Sequence, residues 1–110
     1  MSLDFSLVYN NDDNEIEVFE ANITHNLTGM ASEAGIYKSL WRPEESKWFT
    51  GKDIVKNLEK GLKKLKDKPE KFEQFNAPNG WGMYEHFVPF VEEVLDACKQ
   101  YPNATIKTCR

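Results

Sequence analysis

Apolar and polar residues alternate over Leu3-Asp4-Phe5-Ser6-Leu7-Val8-Tyr9, which sets Leu3, Phe5, Leu7 and Tyr9 on one face of a half-buried strand. Asn10 to Asn14 is an unbroken polar run and reads as a turn. A second alternation covers Glu15 to Ala21, with Ile16 and Val18 against Glu15, Glu17 and Glu20. The stretch 3–21 therefore predicts a β-hairpin closed by a five-residue loop. An isolated hairpin is only marginally stable, and Thr105-Ile106-Lys107-Thr108-Cys109 is the segment suited to add a third strand.

Between these strands the period changes. Leu27, Met30, Ala31, Ala34, Tyr37 and Trp41 fall at helical spacing behind Thr24, an N-cap residue type. Gly29 and Gly35 weaken that helix, and Gly35 is the place for it to break, leaving Ile36 to Trp41 as a separate turn. Arg42 precedes Pro43 and should be extended. Thr50 with Asp53 marks the next helix start, followed by an apolar face of Ile54, Val55, Leu58, Leu62 and Leu65. Pro69 opens a short helix carrying Phe72 and Phe75. Asn76 to Gly82 has a turn former at nearly every position except Trp81 and reads as a loop. A last helix, from Tyr84 to Gln100, shows Tyr84, Phe87, Val88, Val91, Val94, Leu95 and Cys98 on one face, with Pro89 kinking it or marking its start. The pattern predicts one α+β domain over 1–110. In it a small antiparallel sheet, the N-terminal hairpin plus the C-terminal strand, packs against three or four helices.

Composition narrows the setting. At 110 residues with 40% hydrophobic content the chain has the usual size of one domain and needs neither disulfides nor metal to fold. No window has the length and apolarity of a membrane span, and the first residues lack a secretory pattern, so a cytoplasmic protein without membrane contact is expected. Cys98 and Cys109 are expected as reduced thiols, and the sequons at Asn22, Asn26 and Asn103 as chemically silent. The net charge of −4 disfavours nucleic acid, yet the charge is uneven: residues 50–71 carry eight lysines against four acids. Lys52, Lys56, Lys60 and Lys63 or Lys64 repeat along one helix face. Without arginine or interleaved aromatics they read as a solvated face, or as a surface for an acidic partner.

Two clusters could bind a ligand. Asn22, Thr24, His25 and Asn26 sit where a strand meets a helix, and the free N–H groups of a helix start make an anion site; the plainer reading is a simple cap. Asn79-Gly80-Trp81-Gly82, with Tyr84 behind, combines glycines that admit close approach with aromatics that stack on a planar ligand. There the plainer reading is a tryptophan plugging the core. Arg42, fixed by Pro43, is a candidate anion clamp or the ion-pair partner of Glu44 or Glu45. A straight helix over 26–41 would hold Arg42 about 23 Å from His25, and a break at Gly35 would remove that separation. The catalytic inventory is thin: His25 and His86 are the only histidines, and no nucleophile elbow, P-loop or metal motif occurs. Neither a metal nor a cofactor is expected. A His25 acid or base would need Glu20 or Glu85 to orient it.

The blocks Asn22-Ile23-Thr24-His25-Asn26-Leu27, Gly35-Ile36-Tyr37 with Leu40-Trp41-Arg42-Pro43-Glu44, and Phe75-Asn76 with Asn79-Gly80-Trp81-Gly82-Met83-Tyr84 resemble a family of small proteins of unassigned function from bacterial and phage genomes. The resemblance runs from about residue 18 to the C-terminus. It implies a phage or bacterial origin and supplies no catalytic residues to carry over; by analogy, small phage proteins are often binders, which favours binding over catalysis. The leading expectation is a small-molecule binding module for a phosphorylated or nucleotide-like ligand. The alternatives are a protein-interaction module, such as an inhibitor of a host protein, and a small enzyme using His25.

Overall fold

The computed structural model describes residues 2–11 and 13–110. Its two alternating segments pair as strands β1 (Ser2–Asn11) and β2 (Asn14–Thr24), antiparallel from Ser2 opposite Thr24 to Asn11 opposite Asn14. The ladder thus consumes Asn10, Asn11 and Asn14, which were expected in the loop, because backbone pairing does not require apolar side chains. Asp12, also expected in that turn, lies outside the described residues. The C-terminal strand β3 (Thr105–Cys109) pairs antiparallel with the other edge of β1, giving the order β2-β1-β3.

The hairpin departs from simple alternation at one place. Leu7 pairs with Phe19 and Val8 with Glu17, so Val18 is an extra residue and the phase of β2 changes there. Beyond this bulge Phe19, Ala21 and Ile23 pack against the core with Leu3, Phe5 and Leu7. Ahead of it Ile16, expected inside, is 50% exposed beside its cross-strand partner Tyr9. Tyr9 was also expected on the buried face. It falls past the end of β3, whose ladder stops at Val8 opposite Thr105, and stays 36% exposed with its ring edge-on to Tyr101 at 6.1 Å.

After β2 the chain makes a 3-10 turn at His25–Leu27, a short helix α1 (Thr28–Glu33) and a second short helix α2 (Tyr37–Trp41). The break between them is at Gly35, with φ of 80°. Helix α3 (Gly51–Asp67) holds this corner: Asn57 donates to the Gly35 carbonyl at 3.1 Å and accepts from the hydroxyl of Ser39, which is fully buried. Gly61 of α3 lies against Ile36 so closely that a Cβ would overlap its side chain.

The start of α3 is closed. Oδ2 of Asp53 accepts the N–H groups of Phe49 and Thr50 and the Thr50 hydroxyl, while Gly51 and Lys52 donate to the carbonyls of Ala104 and Pro102. Helix α4 (Pro69–Glu73) buries Phe72 but ends before Phe75, which was expected on it and is 38% exposed. Helix α5 (Tyr84–Gln100) packs along α3 and begins ahead of Pro89, so that proline does not mark the helix start. Pro89 is exposed, and so is Glu85, whose carbonyl loses its intrahelical partner and can turn to water. One apolar cluster joins the inner face of the sheet to all five helices. No helix among the described residues is long and apolar enough to cross a membrane.

Candidate functional site: a groove between the hairpin end and the 79–82 loop

The sheet has one end at which β1 begins and β2 finishes, with Ser2 opposite Thr24. Leaving that end, the chain turns at once: the Thr24 side chain accepts from the Asn26 N–H at 3.2 Å, so the expected cap closes a three-residue 3-10 turn rather than a long helix. Across from it the segment between α4 and α5 folds on itself. Ala77 donates to the Gly82 carbonyl, Gly80 to the Ala77 carbonyl, and the Trp81 N–H to Asn79 Oδ1, each at 3.0 Å. The Asn26 amide then reaches over to donate to the Trp81 carbonyl at 2.6 Å.

Glycine is required at the contact between these walls. Gly82 is buried with φ of 124°, and a Cβ there would stand 2.8 Å from the Cβ of Asn26. Gly80, with φ of 79°, has nothing within 4 Å and serves the turn alone. Between the walls lies an open groove of about 860 Å³, lined by Ser2 and residues 22–26 on one side and by Asn79 and Trp81 on the other. The Trp81 indole is 71% exposed. It lines the groove and does not plug the core.

The imidazole of His25 is half-buried and oriented from behind. The Trp41 indole N–H donates to His25 Nδ1 at 2.9 Å, so the neutral ring carries its proton on Nε2. Trp41 is itself fixed by stacking on Tyr37, with centroids 5.7 Å apart and planes 10° from parallel. An indole thus holds the position a carboxylate would take in a general-base pair. On the outer side Asn22 donates to Ser2 Oγ at 2.9 Å and to Asp4 Oδ1 at 2.6 Å.

Two of the sequence candidates lie elsewhere. Arg42 donates to the Tyr37 hydroxyl at 3.1 Å and pairs with Glu45 at 3.4 Å, and it does not line the groove. The fold-back at Gly35 brings Trp41, not Arg42, to His25. Tyr84 donates its hydroxyl to the Leu65 carbonyl at 2.7 Å and its N–H to Asn76 Oδ1 at 2.6 Å, fastening the base of the loop to α3. Burial raises its phenol above the ordinary value, with Glu73 adding to the effect. Ser2, Asp4 and Trp41 were not anticipated: the first two follow from the hairpin register, whereas nothing in sequence spacing pairs Trp41 with His25.

Among the described residues the other reactive groups do not gather into a second centre. Cys98 is buried and its thiol is pushed up to about 12 by that burial, which keeps it protonated; Cys109 is exposed on β3. Among the described residues no three His, Cys, Asp or Glu side chains gather to hold a metal. A smaller depression beside Phe72 is lined by Glu33, Lys64, Asp67, Lys68 and Lys71, with Lys71 and Glu33 paired across it at 3.1 Å. Set against protein-family models, curated proteins and solved structures, the chain matches none of them.

Proposed function

We propose that the protein is a small-molecule binding module whose site is the groove between Asn22–Asn26 and Asn79–Trp81. One observation carries this reading. Trp81 presents most of its indole to solvent at the rim of a polar groove, while its N–H and carbonyl are both held by asparagine side chains. An exposed aromatic on an anchored backbone loses little freedom when a ligand stacks on it, so stacking is worth about 1–3 kcal/mol. The resemblance to phage and bacterial proteins supports a binder of that origin, and every described lining residue of the groove except Ser2 falls within its blocks. Trp81→Ala is the direct test: ligand binding should fall about fivefold or more while the melting temperature stays near that of the wild type, since the indole is outside the core. A variant that unfolds would make Trp81 structural, and one that binds normally would remove the groove as the site.

A protein-interaction module is the second reading, and a specific observation favours it. Lys52, Lys56, Lys60 and Lys63 on α3 are exposed, and no ion pair among the described residues uses them. Such a row offers free positive charge to an acidic protein surface.

A further inference from the structure

The atoms left free in the groove point to one chemical class of ligand, and we infer that the groove takes an uncharged, hydroxyl-rich molecule, a saccharide. This rests on the groove reading above and adds the ligand class to it. Among the described residues no lysine, arginine, aspartate or glutamate lines the groove. The hydrogen bonds within its walls fix which end of each polar side chain remains available. Asn22 commits its amide nitrogen to Ser2 and Asp4, so its Oδ1 is left as an acceptor. Asn26 directs its amide nitrogen to the Trp81 carbonyl, and its Oδ1 is likewise left to accept. Asn79 uses its oxygen on the Trp81 N–H and keeps its NH2 as a donor. His25, with Nδ1 occupied by Trp41, offers Nε2–H, and Thr24, accepting from Asn26, offers its hydroxyl proton.

Donors and acceptors are therefore both present within one groove. A dianionic phosphomonoester group only accepts, and would meet two amide oxygens with no lysine or arginine among the described lining residues to offset them. The Asp4 carboxylate, 2.6 Å behind Asn22, makes that encounter worse. The short 3-10 turn at His25 does not supply the field of a long helix, and Thr24 already occupies the Asn26 N–H. A sugar hydroxyl both donates and accepts, so it satisfies either kind of atom. The aromatic component fits as well. A pyranose has C–H bonds on one face and hydroxyls around its rim, which suits one exposed indole beside a polar wall; a nucleobase has two flat faces to cover, and beside the Trp81 indole the described lining offers only the smaller, half-buried imidazole of His25.

The test is to titrate the full chain, labelled with 15N, with maltotriose, cellotriose and chitotriose, and in parallel with adenosine, AMP and inorganic phosphate, following the Trp81 indole and the amides of residues 22–26. A trisaccharide should shift these resonances saturably, the shift should be lost in Trp81→Ala, and Asn22→Ala should weaken binding by up to about tenfold, the size of one lost neutral hydrogen bond. The spectra of both variants must retain wild-type dispersion elsewhere, which separates a lost site from a lost fold. If AMP, adenosine or phosphate moves the groove resonances and no saccharide does, the ligand class is wrong and the groove stands. If no probe moves them, both the class and the groove reading are overturned.

Discussion

Asp53 shows how much one side chain organises. A single carboxylate oxygen gathers three donors from Phe49 and Thr50, and this ties the chain entering α3 to the first turn of that helix. The Thr50 N–H is the main cause of a carboxyl held below its ordinary value; burial opposes it, and the Phe49 N–H and the Thr50 hydroxyl add to the lowering. A carboxyl depressed in the folded state contributes stability above the unfolded value of about 4, and that contribution disappears as pH falls through the folded value. Asp53→Ala should therefore lower stability at pH 7 by about 1 kcal/mol, the usual loss for a removed helix cap. The gap between wild type and variant should shrink as pH drops below about 4. Urea melts of both proteins at pH 7 and pH 3 measure it, and a gap independent of pH would show that the carboxylate is not the stabilising form. Gly82 acts by the opposite means: a missing Cβ lets the loop touch Asn26, and the groove depends on that contact.

At the level of elements, Gly61 sets local preference against packing. In an isolated helix Gly61→Ala would add up to about 1 kcal/mol of stability. Here the new methyl would overlap Ile36 and press on the Ala34 carbonyl at 3.2 Å, at the corner where α1 turns into α2. Overpacking of this kind costs about 1–3 kcal/mol, so the substitution should lower the melting temperature, and a rise would mean that the corner yields freely. The same corner marks how far sequence reading reaches. The hairpin, the third strand, α3 and α5 were legible because each buries one face, and a buried face imposes a period on the residues that fill it. The bulge at Val18 was not, because inserting one residue reverses the alternation without leaving any marker in composition. The clamp of Asn57 on Gly35 and Ser39 was invisible as well, since a polar residue on a helix reads as solvent-facing until its partner is placed. In the site, the segments 22–26 and 79–82 could each be picked out by residue type. That Asn26 grips the Trp81 carbonyl is a contact across 55 positions, which spacing does not encode.

Across the whole molecule the charges sort by element. Helices α3 and α5 are joined along their flanks by Lys66 with Glu92 at 3.2 Å and Lys99 with Glu59 at 3.3 Å. Strand β2 carries Glu15, Glu17 and Glu20 on exposed positions, and acids along an edge strand oppose pairing with a second copy of itself. The lysine row on α3 is the remaining strong field. It either solvates the helix or guides an acidic partner, and the two roles separate under charge reversal. The double variant Lys56→Glu, Lys60→Glu breaks no ion pair among the described residues, so its stability should stay within about 1 kcal/mol of the wild type, which is a few degrees in the melting temperature of a domain this size. If the row is an interaction surface, wild-type protein should bind poly-L-glutamate at low ionic strength, with an affinity that falls steeply as salt is added, and the variant should not. Binding that survives the reversal would place the acidic contact elsewhere, and wild-type protein that ignores poly-L-glutamate would leave the row as a solvated helix face. A large drop in melting temperature would instead show that the lysine stems cover apolar surface on α3, making the row part of the packing.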